Sequence, residues 1–194
     1  QTKNIQKGSI VSNTRTATFE QDGYVGVNPD IEDAVVKSVE DNIIIDSTRT
    51  NSNGEFSVGA SNDSTIIVNV NGFVYNGKPL YASARKPVSY GNNLDFNFKQ
   101  PETTTIDGET VNVSYSTESQ NSDQDPQIGN SKQLQSINDS DKLDDDYEIV
   151  DDIDGSDMDN DFEPIGNESE QFTGNIDGNS NTISNITINN SSRE

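Results

Sequence analysis

The chain has 194 residues, 28% of them hydrophobic, and carries a net charge of −22 at pH 7 from 34 Asp/Glu against 12 Lys/Arg. That composition is too polar for one well-filled core along the whole length, and it argues against nucleic acid or an anionic membrane surface as partner, since both need a cationic face. With no Cys and no His, the chain has no disulfide, no thiolate or imidazole metal ligand, and no Ser-His or Cys-His nucleophile pair.

The charge is uneven. Residues 1–100 hold nine Lys/Arg and eleven Asp/Glu, a net of −2, whereas residues 101–194 hold three and twenty-three, a net of −20. Two segments of such different character read as two modules. No window is long and apolar enough to span a bilayer, so no direct membrane insertion is expected, and no signal-peptide pattern heads the chain.

In chain order, residues 1–7 read as a polar arm. Strand signals then begin with Gly8-Ser-Ile-Val-Ser12 and Thr16-Ala-Thr-Phe19, followed by a Gly-, Asn- and Pro-rich loop from Gln21 to Asp30. Ala34-Val35-Val36 and Ile43-Ile44-Ile45 are β-branched runs separated by Glu40-Asp41. Asn51-Ser-Asn-Gly54 reads as a hairpin turn with Gly where positive φ is needed, and Glu55-Phe56-Ser57-Val58 alternates behind it. Ser64 to Val70 is the strongest strand signal, and Leu94-Asp95-Phe96-Asn97-Phe98 closes the module in strict period two.

Residues 101–130 are dominated by Thr, Ser, Gln, Asn and Asp and read as a polar linker, with Thr110-Val-Asn-Val-Ser114 as a short edge strand at most. Ser131 fits a helix N-cap, with Leu134 and Ile137 on one face of the turn that follows. From Phe162 to Asn190 sparse aliphatics (Ile165, Phe172, Ile176, Ile183, Ile186, Ile188) are separated by Gly and Asn corners, as in one rung of a parallel β-solenoid. The expected fold class is therefore all-β: a sandwich over 8–100, the linker, and a solenoid-like module with one capping helix over 131–194.

Two stretches resemble known families. Phe162-Glu-Pro-Ile-Gly166, Phe172-Thr-Gly174, Ile176-Asp-Gly-Asn179 and Thr182-Ile-Ser-Asn185, with Leu134-Gln-Ser-Ile137, Tyr147-Glu-Ile149 and Asp152-Ile-Asp154 ahead of them, resemble the opening rung of GLUG-motif right-handed β-helices of microbial, often archaeal, surface proteins. The order Asp46-Ser-Thr48, Asn53-Gly54, Phe56, Gly72-Phe73 and the alternating Leu-Asp-Phe strand resembles the carboxypeptidase-regulatory-like or CNA-B-like domain, a prealbumin-type sandwich used as a stalk or spacer. These resemblances imply an extracellular or cell-surface location and a structural role, with no catalytic residue carried over.

Asp152, Asp154, Asp157, Asp159 and Asp161 alternate in the densest acidic run, an arrangement that would suit a hard cation such as Ca²⁺ or simply a solvated acidic loop. The EF-hand pattern fails because Phe162 stands where Gly is required. No other cofactor is expected. Carboxylate pairs also raise glycosidase or polysaccharide-lyase chemistry, but the lyase lacks basic residues, since only Lys132, Lys142 and Arg193 follow residue 101, and a non-enzymatic role is expected. Asn-x-Ser/Thr occurs at Asn62, Asn112, Asn138, Asn167, Asn189 and Asn190, and inside the rung motif at Asn185, giving candidate glycosylation sites. Phe73, Tyr75, Tyr81 and Tyr90 would suit a sugar platform or a sandwich core.

A rung cannot bury its own core, so Ile183, Ile186 and Ile188 read as an assembly edge. Either the chain belongs to a longer repeat protein or another subunit completes the stack. The expected partner is a second copy, in an oligomer or filament; a glycan or partner surface recognised by an adhesin is the alternative.

Overall fold

A computed structural model of the protein describes residues 19–27, 29–116, 125–139, 141–158 and 160–188. The arm at 1–7 and the strand signal at Gly8–Ser12 lie outside the described residues. The fold is all-β, with one short helix.

Two sheets face each other in the N-terminal part. Strands β1 (Phe19–Gly26), β4 (Glu55–Ala60) and β7 (Leu94–Asn97) form a three-stranded sheet in the order β4-β1-β7, antiparallel on one side and parallel on the other. A six-stranded sheet packs against it, built from β2 (Val35–Glu40), β3 (Ile43–Arg49), β5 (Thr65–Tyr75), β6 (Lys78–Pro87), β8 (Glu102–Ile106) and β9 (Glu109–Tyr115) in the order β3-β2-β5-β6-β9-β8. Period-two alternation puts Val25, Phe56, Val58, Leu94 and Phe96 of the first sheet against Val36, Ile66, Val68, Val70, Leu80, Ala82 and Ala84 of the second. Inside this core Ser38 is fully buried and its hydroxyl has no partner among the described residues.

Three stretches differ from the sequence reading. The Gly-rich segment from Gln21 on is the body of β1: Gly23 lies where a Cβ would sit 2.3 Å from the Leu94 carbonyl, so Gly here serves close packing and not a loop. Asn51–Gly54, with Gly54 at φ 72°, passes the chain from β3 to β4 in the opposite sheet and does not close a hairpin within one sheet. The supposed linker supplies β8 and β9, and β9 is an inner strand lying parallel to β6. Ile106, Val111 and Val113 are enough to hold the pair, because they bury against Tyr81, Tyr115 and Met158. Residues 117–124 of that span are outside the described residues, and β10 (Gln127–Ile128) follows them.

The C-terminal part lies on the outer face of the six-stranded sheet as a third layer. Helix α1 (Ser131–Ser136) starts from Asn130, one residue before the cap expected at Ser131; the Asn130 carboxamide oxygen accepts from the Gln133 N–H. All six helical residues are buried. The helix packs against β6, β8 and β9, and Leu134 with Ile137 just after it enters the core of the strands that follow. Short parallel strands then stack: β10, β11 (Tyr147–Ile149) and β13 (Ile176–Asp177) in one sheet, β12 (Ile153–Asp154) and β14 (Ile183–Ser184) in another. Ile128, Leu134, Ile137, Tyr147, Ile149, Ile153 and Phe162 form their shared core, joined by half-buried Phe172, Ile176 and Ile186.

The layers meet through polar contacts. Gln133, fully buried, accepts at Oε1 from the Gly129 N–H (3.0 Å) and Asn130 Nδ2 (3.0 Å), and its Nε2 donates to the Ser114 (3.0 Å) and Gln127 (3.2 Å) carbonyls. Ser83 Oγ of β6 lies 2.8 Å from the same Oε1 and 2.6 Å from Asn69 Oδ1. Asp151 receives Lys37 Nζ (2.6 Å) and Asn69 Nδ2 (2.9 Å), and Arg85 pairs with Glu148. Gly129 permits this approach, since a Cβ there would meet Ser83 Oγ at 2.6 Å.

Lys132 and Asp107 form an ion pair at 2.6 Å with side chains only 4% and 5% exposed. Breaking such a pair strands a desolvated charge, which costs about 3–5 kcal/mol, whereas removing both charges is close to neutral. Lys132→Met should therefore lower stability in urea by about that amount, and Lys132→Met with Asp107→Leu should recover most of it. Equal losses in the single and double variants would show that the pair is not buried in solution.

Candidate functional site

Among the described residues the parallel strands end at β13 and β14, each the last strand of its sheet. Tyr147 aligns with Ile176 and Glu148 with Asp177 along one ladder, and Ile153 aligns with Ile183 along the other. Side chains beside β11 and β12 bond groups beside β13 and β14 at separations of 29 to 31 residues, twice to a backbone N–H and once to a side-chain amide.

Aspartate does most of this capping. Asp146 Oδ1 accepts from the Asn175 N–H (2.7 Å), and Asp152 Oδ1 from the Thr182 N–H (2.7 Å). Asp154 Oδ1 accepts from Asn185 Nδ2 (2.8 Å) and the Ser156 N–H (3.0 Å), and these bonds hold its carboxyl below the usual carboxylate range. Asp157 accepts the Ser131 hydroxyl at the head of α1. The corners need this help because Asn179, Ser180 and Asn185 adopt left-handed φ of 46°, 63° and 54°, where Asn is among the best tolerated non-Gly residues.

The aspartates considered for Ca²⁺ are thus spread along the ladder. Asp152 and Asp154 bond the two ends of the 182–185 segment and Asp157 bonds Ser131, Asp161 lies beside Asn160 in a shallow groove with Glu163, and Asp159 is outside the described residues. Among the described residues no group of three or more acidic side chains is placed to hold a metal ion. The grooves are open and polar. One runs between the β8–β9 turn and α1, and another lies between the outer face of β2, β5 and β6 and the corners at 150–152 and 179–182. The aromatic set does not share one surface: Tyr75 is buried with its hydroxyl on Gln100, Tyr81 packs against the cluster of Ile106, Val111 and Val113, and Tyr90 is 73% exposed against Phe19.

Among the Asn-x-Ser/Thr sites, Asn112 is corrected by its surroundings. It is buried in β9, its Nδ2 donates to the Tyr75 carbonyl (2.8 Å) and its Oδ1 accepts from Thr103, so the folded protein has no room for a glycan there. Asn62 is exposed at the turn between β4 and β5. Asn167 is exposed but caps the Ser169 and Glu170 N–H groups, and half-buried Asn138 accepts from the Gly166 N–H. Asn189 and Asn190 lie outside the described residues.

The three isoleucines read as an assembly edge differ in exposure. Ile183 is 44% and Ile188 54% exposed, but Ile186 packs into the module core beside Gly155, and its place in the exposed edge is corrected. Behind the edge the core is closed by Tyr147, fully buried with its hydroxyl donating to the Lys142 carbonyl (2.8 Å), and by Tyr115, which bonds Ser136 and sits 6.0 Å from the Tyr147 ring. No family model matches the chain, and neither does a curated protein or a solved structure.

Burial pushes the Tyr115 hydroxyl up to about 12, only partly offset by its bond to Ser136, and burial raises Tyr147 as well. A raised folded pKa means the native state holds its proton longer than the unfolded chain, so stability is intact below pH 10 and falls between about 10 and 12. Each unit of the difference is worth about 1.4 kcal/mol. Tyr115→Phe should flatten this alkaline loss in urea melts at stepped pH; an unchanged slope would place the tyrosine in contact with solvent.

Proposed function

We propose that the protein is an extracellular structural subunit, part of a cell-surface stalk, layer or filament, whose β13/β14 edge accepts a further parallel rung from another chain. The carrying observation is that edge: among the described residues two parallel ladders stop at strands paired on one side only, with Ile183 and Ile188 half exposed. Unpaired backbone beside apolar side chains is a template for strand addition. A heterologous contact of this kind propagates unless the rotation closes.

Two features support a mechanical role over an enzymatic one. The described grooves are shallow and polar, unlike the concave apolar pockets that hold small substrates. The six-stranded sheet and the C-terminal layer are joined by buried hydrogen bonds and an ion pair, which resist sliding because each partner would be left unsatisfied. The surface location rests on the resemblance to β-helical and stalk-type surface proteins, and exposed Asn62 would be the first glycan acceptor to test.

Assembly should appear as concentration-dependent oligomers or filaments in sedimentation and electron microscopy. Ile183→Asp with Ile188→Asp should abolish them while leaving the circular dichroism spectrum unchanged. A parent chain that stays a monodisperse monomer at all concentrations and salt conditions would overturn the reading.

A further inference from the structure

A head-to-tail assembly needs two different surfaces that fit each other, and the β13/β14 edge is one of them. Among the described residues β3 is the other strand edge that is both unpaired and apolar. It terminates the six-stranded sheet, and Ile43, Ile44 and Ile45 on it are 64%, 56% and 42% exposed. Together with Ile183 and Ile188 they make up five of the seven large apolar side chains exposed among the described residues. The remaining two stand elsewhere: Val74 pairs within the β5–β6 hairpin, and Tyr90 rests edge-on against Phe19. The other sandwich edges are blunted. Strand β8 is Glu-Thr-Thr-Thr-Ile, the Gly59 N–H of β4 donates to Asp46 Oδ2 (2.9 Å), and the Asp95 carbonyl of β7 accepts from Lys86 Nζ.

We infer that β3 of one copy lies along β14 of the next, its isoleucines closing over Ile183 and Ile188. The occupant of each edge is a second copy of this chain, and the inference rests on the β13/β14 edge proposed above as the assembly site.

Two arguments select this pairing over the symmetric ones. Strand β3 is a poor partner for itself. Asp46 is the midpoint of Ile43–Arg49, so a full-length antiparallel pair about a two-fold axis sets Asp46 opposite Asp46, with like charges facing. Centring the pair on Ile44 sets the turn residue Asn42, at φ 61°, opposite Asp46 and leaves only residues 43–45 to pair. Charge gives the second argument. Strand β14 belongs to the half of the chain with a net of −20, and β3 to the half with a net of −2. Joining β14 to β14 would press two strongly anionic halves together. Joining it to β3 brings the anionic half against a near-neutral one, where Asp46 and Arg49 balance each other on the strand. Inside such a stack both apolar edges are covered.

Two variants and their mixture test the pairing. Ile43→Asp with Ile44→Asp removes the β3 surface, and Ile183→Asp with Ile188→Asp removes the β14 surface. All four side chains are exposed, so both chains should keep the parent circular dichroism spectrum. Each variant alone should sediment as a monomer. Their equimolar mixture should form a complex of two chains and stop there, since each pair holds one intact β3, one intact β14 and no means to extend. A second reading does not depend on the aspartates. The chain has no Cys, so Ile44→Cys chains mixed with Ile183→Cys chains should give mainly the mixed disulfide dimer on oxidation. A β3 variant that assembles like the parent would overturn this inference and leave the β14 edge standing. A mixture that stays monomeric, or cross-linked homodimers as the main product, would overturn it as well. A parent chain that never assembles would overturn both this pairing and the assembly role on which it rests.

Discussion

The amide of Gln133 is the contact on which the arrangement of layers depends. It sits at 0% exposure between the sandwich and the stacked strands, and it bonds Gly129, Asn130, Ser114 and Gln127 at once. The C-terminal module needs such an anchor because its strands are two or three residues long, too short to be stable unsupported. Its apolar cluster supplies attraction, but hydrophobic burial is non-directional and tolerates sliding. The polar seam of Asn69, Ser83, Asn130, Gln133 and Asp151 admits one register, since any other leaves buried donors and acceptors without partners.

The concentration of negative charge in the C-terminal half follows from the same geometry. A chain that turns every few residues frees many backbone N–H groups at its corners, and a carboxylate is a strong acceptor for them. Asp146, Asp152, Asp154 and Asp177 each accept such a bond, and all four bonds lie on the surface. Their charges therefore stay solvated while their oxygens hold successive turns together. The few cations are used where carboxylates are buried: Lys37 on Asp151, Arg85 on Glu148, Lys132 on Asp107. Lys142 is the reverse case, a buried ammonium whose partners Glu102 and Asp139 are exposed. Burial opposes its charge, yet the bonds to Glu102 and Asp139 outweigh that and raise its pKa.

Residue pattern made parts of this legible. The β-branched runs around Val36 and Ile44, the alternation at Phe56 and Phe96, and the strong signal over Ser64–Val70 each appear as strands, because period-two burial leaves its trace in the sequence. The helix at Ser131 and the strands Ile176–Asp177 and Ile183–Ser184 lie where the spacing of aliphatics put them, and Tyr147–Ile149, singled out only by the resemblance, pairs with Ile176–Asp177. What stayed hidden is polar. A Thr-rich stretch with three aliphatics looks like linker until Tyr81 and Met158 are seen to cover Ile106, Val111 and Val113. Asn112 looks like a glycan acceptor until the Tyr75 carbonyl claims its amide. Gln133 looks like a surface residue of a short helix, and only the neighbouring layer makes it a core residue; its one local sign is Asn130, three positions earlier, which caps the helix and bonds its side chain.

The central claim is that sandwich and stacked strands unfold together because this seam joins them. Hydrogen exchange under native conditions tests it directly, with amides of β5 (Ile66–Val70) and β11 (Tyr147–Ile149) as reporters of the two parts. The account predicts one common opening free energy for both sets in the parent chain. In Gln133→Leu, which strands buried partners at about 1–3 kcal/mol each, it predicts that β11 opens more easily and that the two sets separate. Exchange of β11 at a lower free energy than β5 in the parent chain, unaltered by Gln133→Leu, would contradict it.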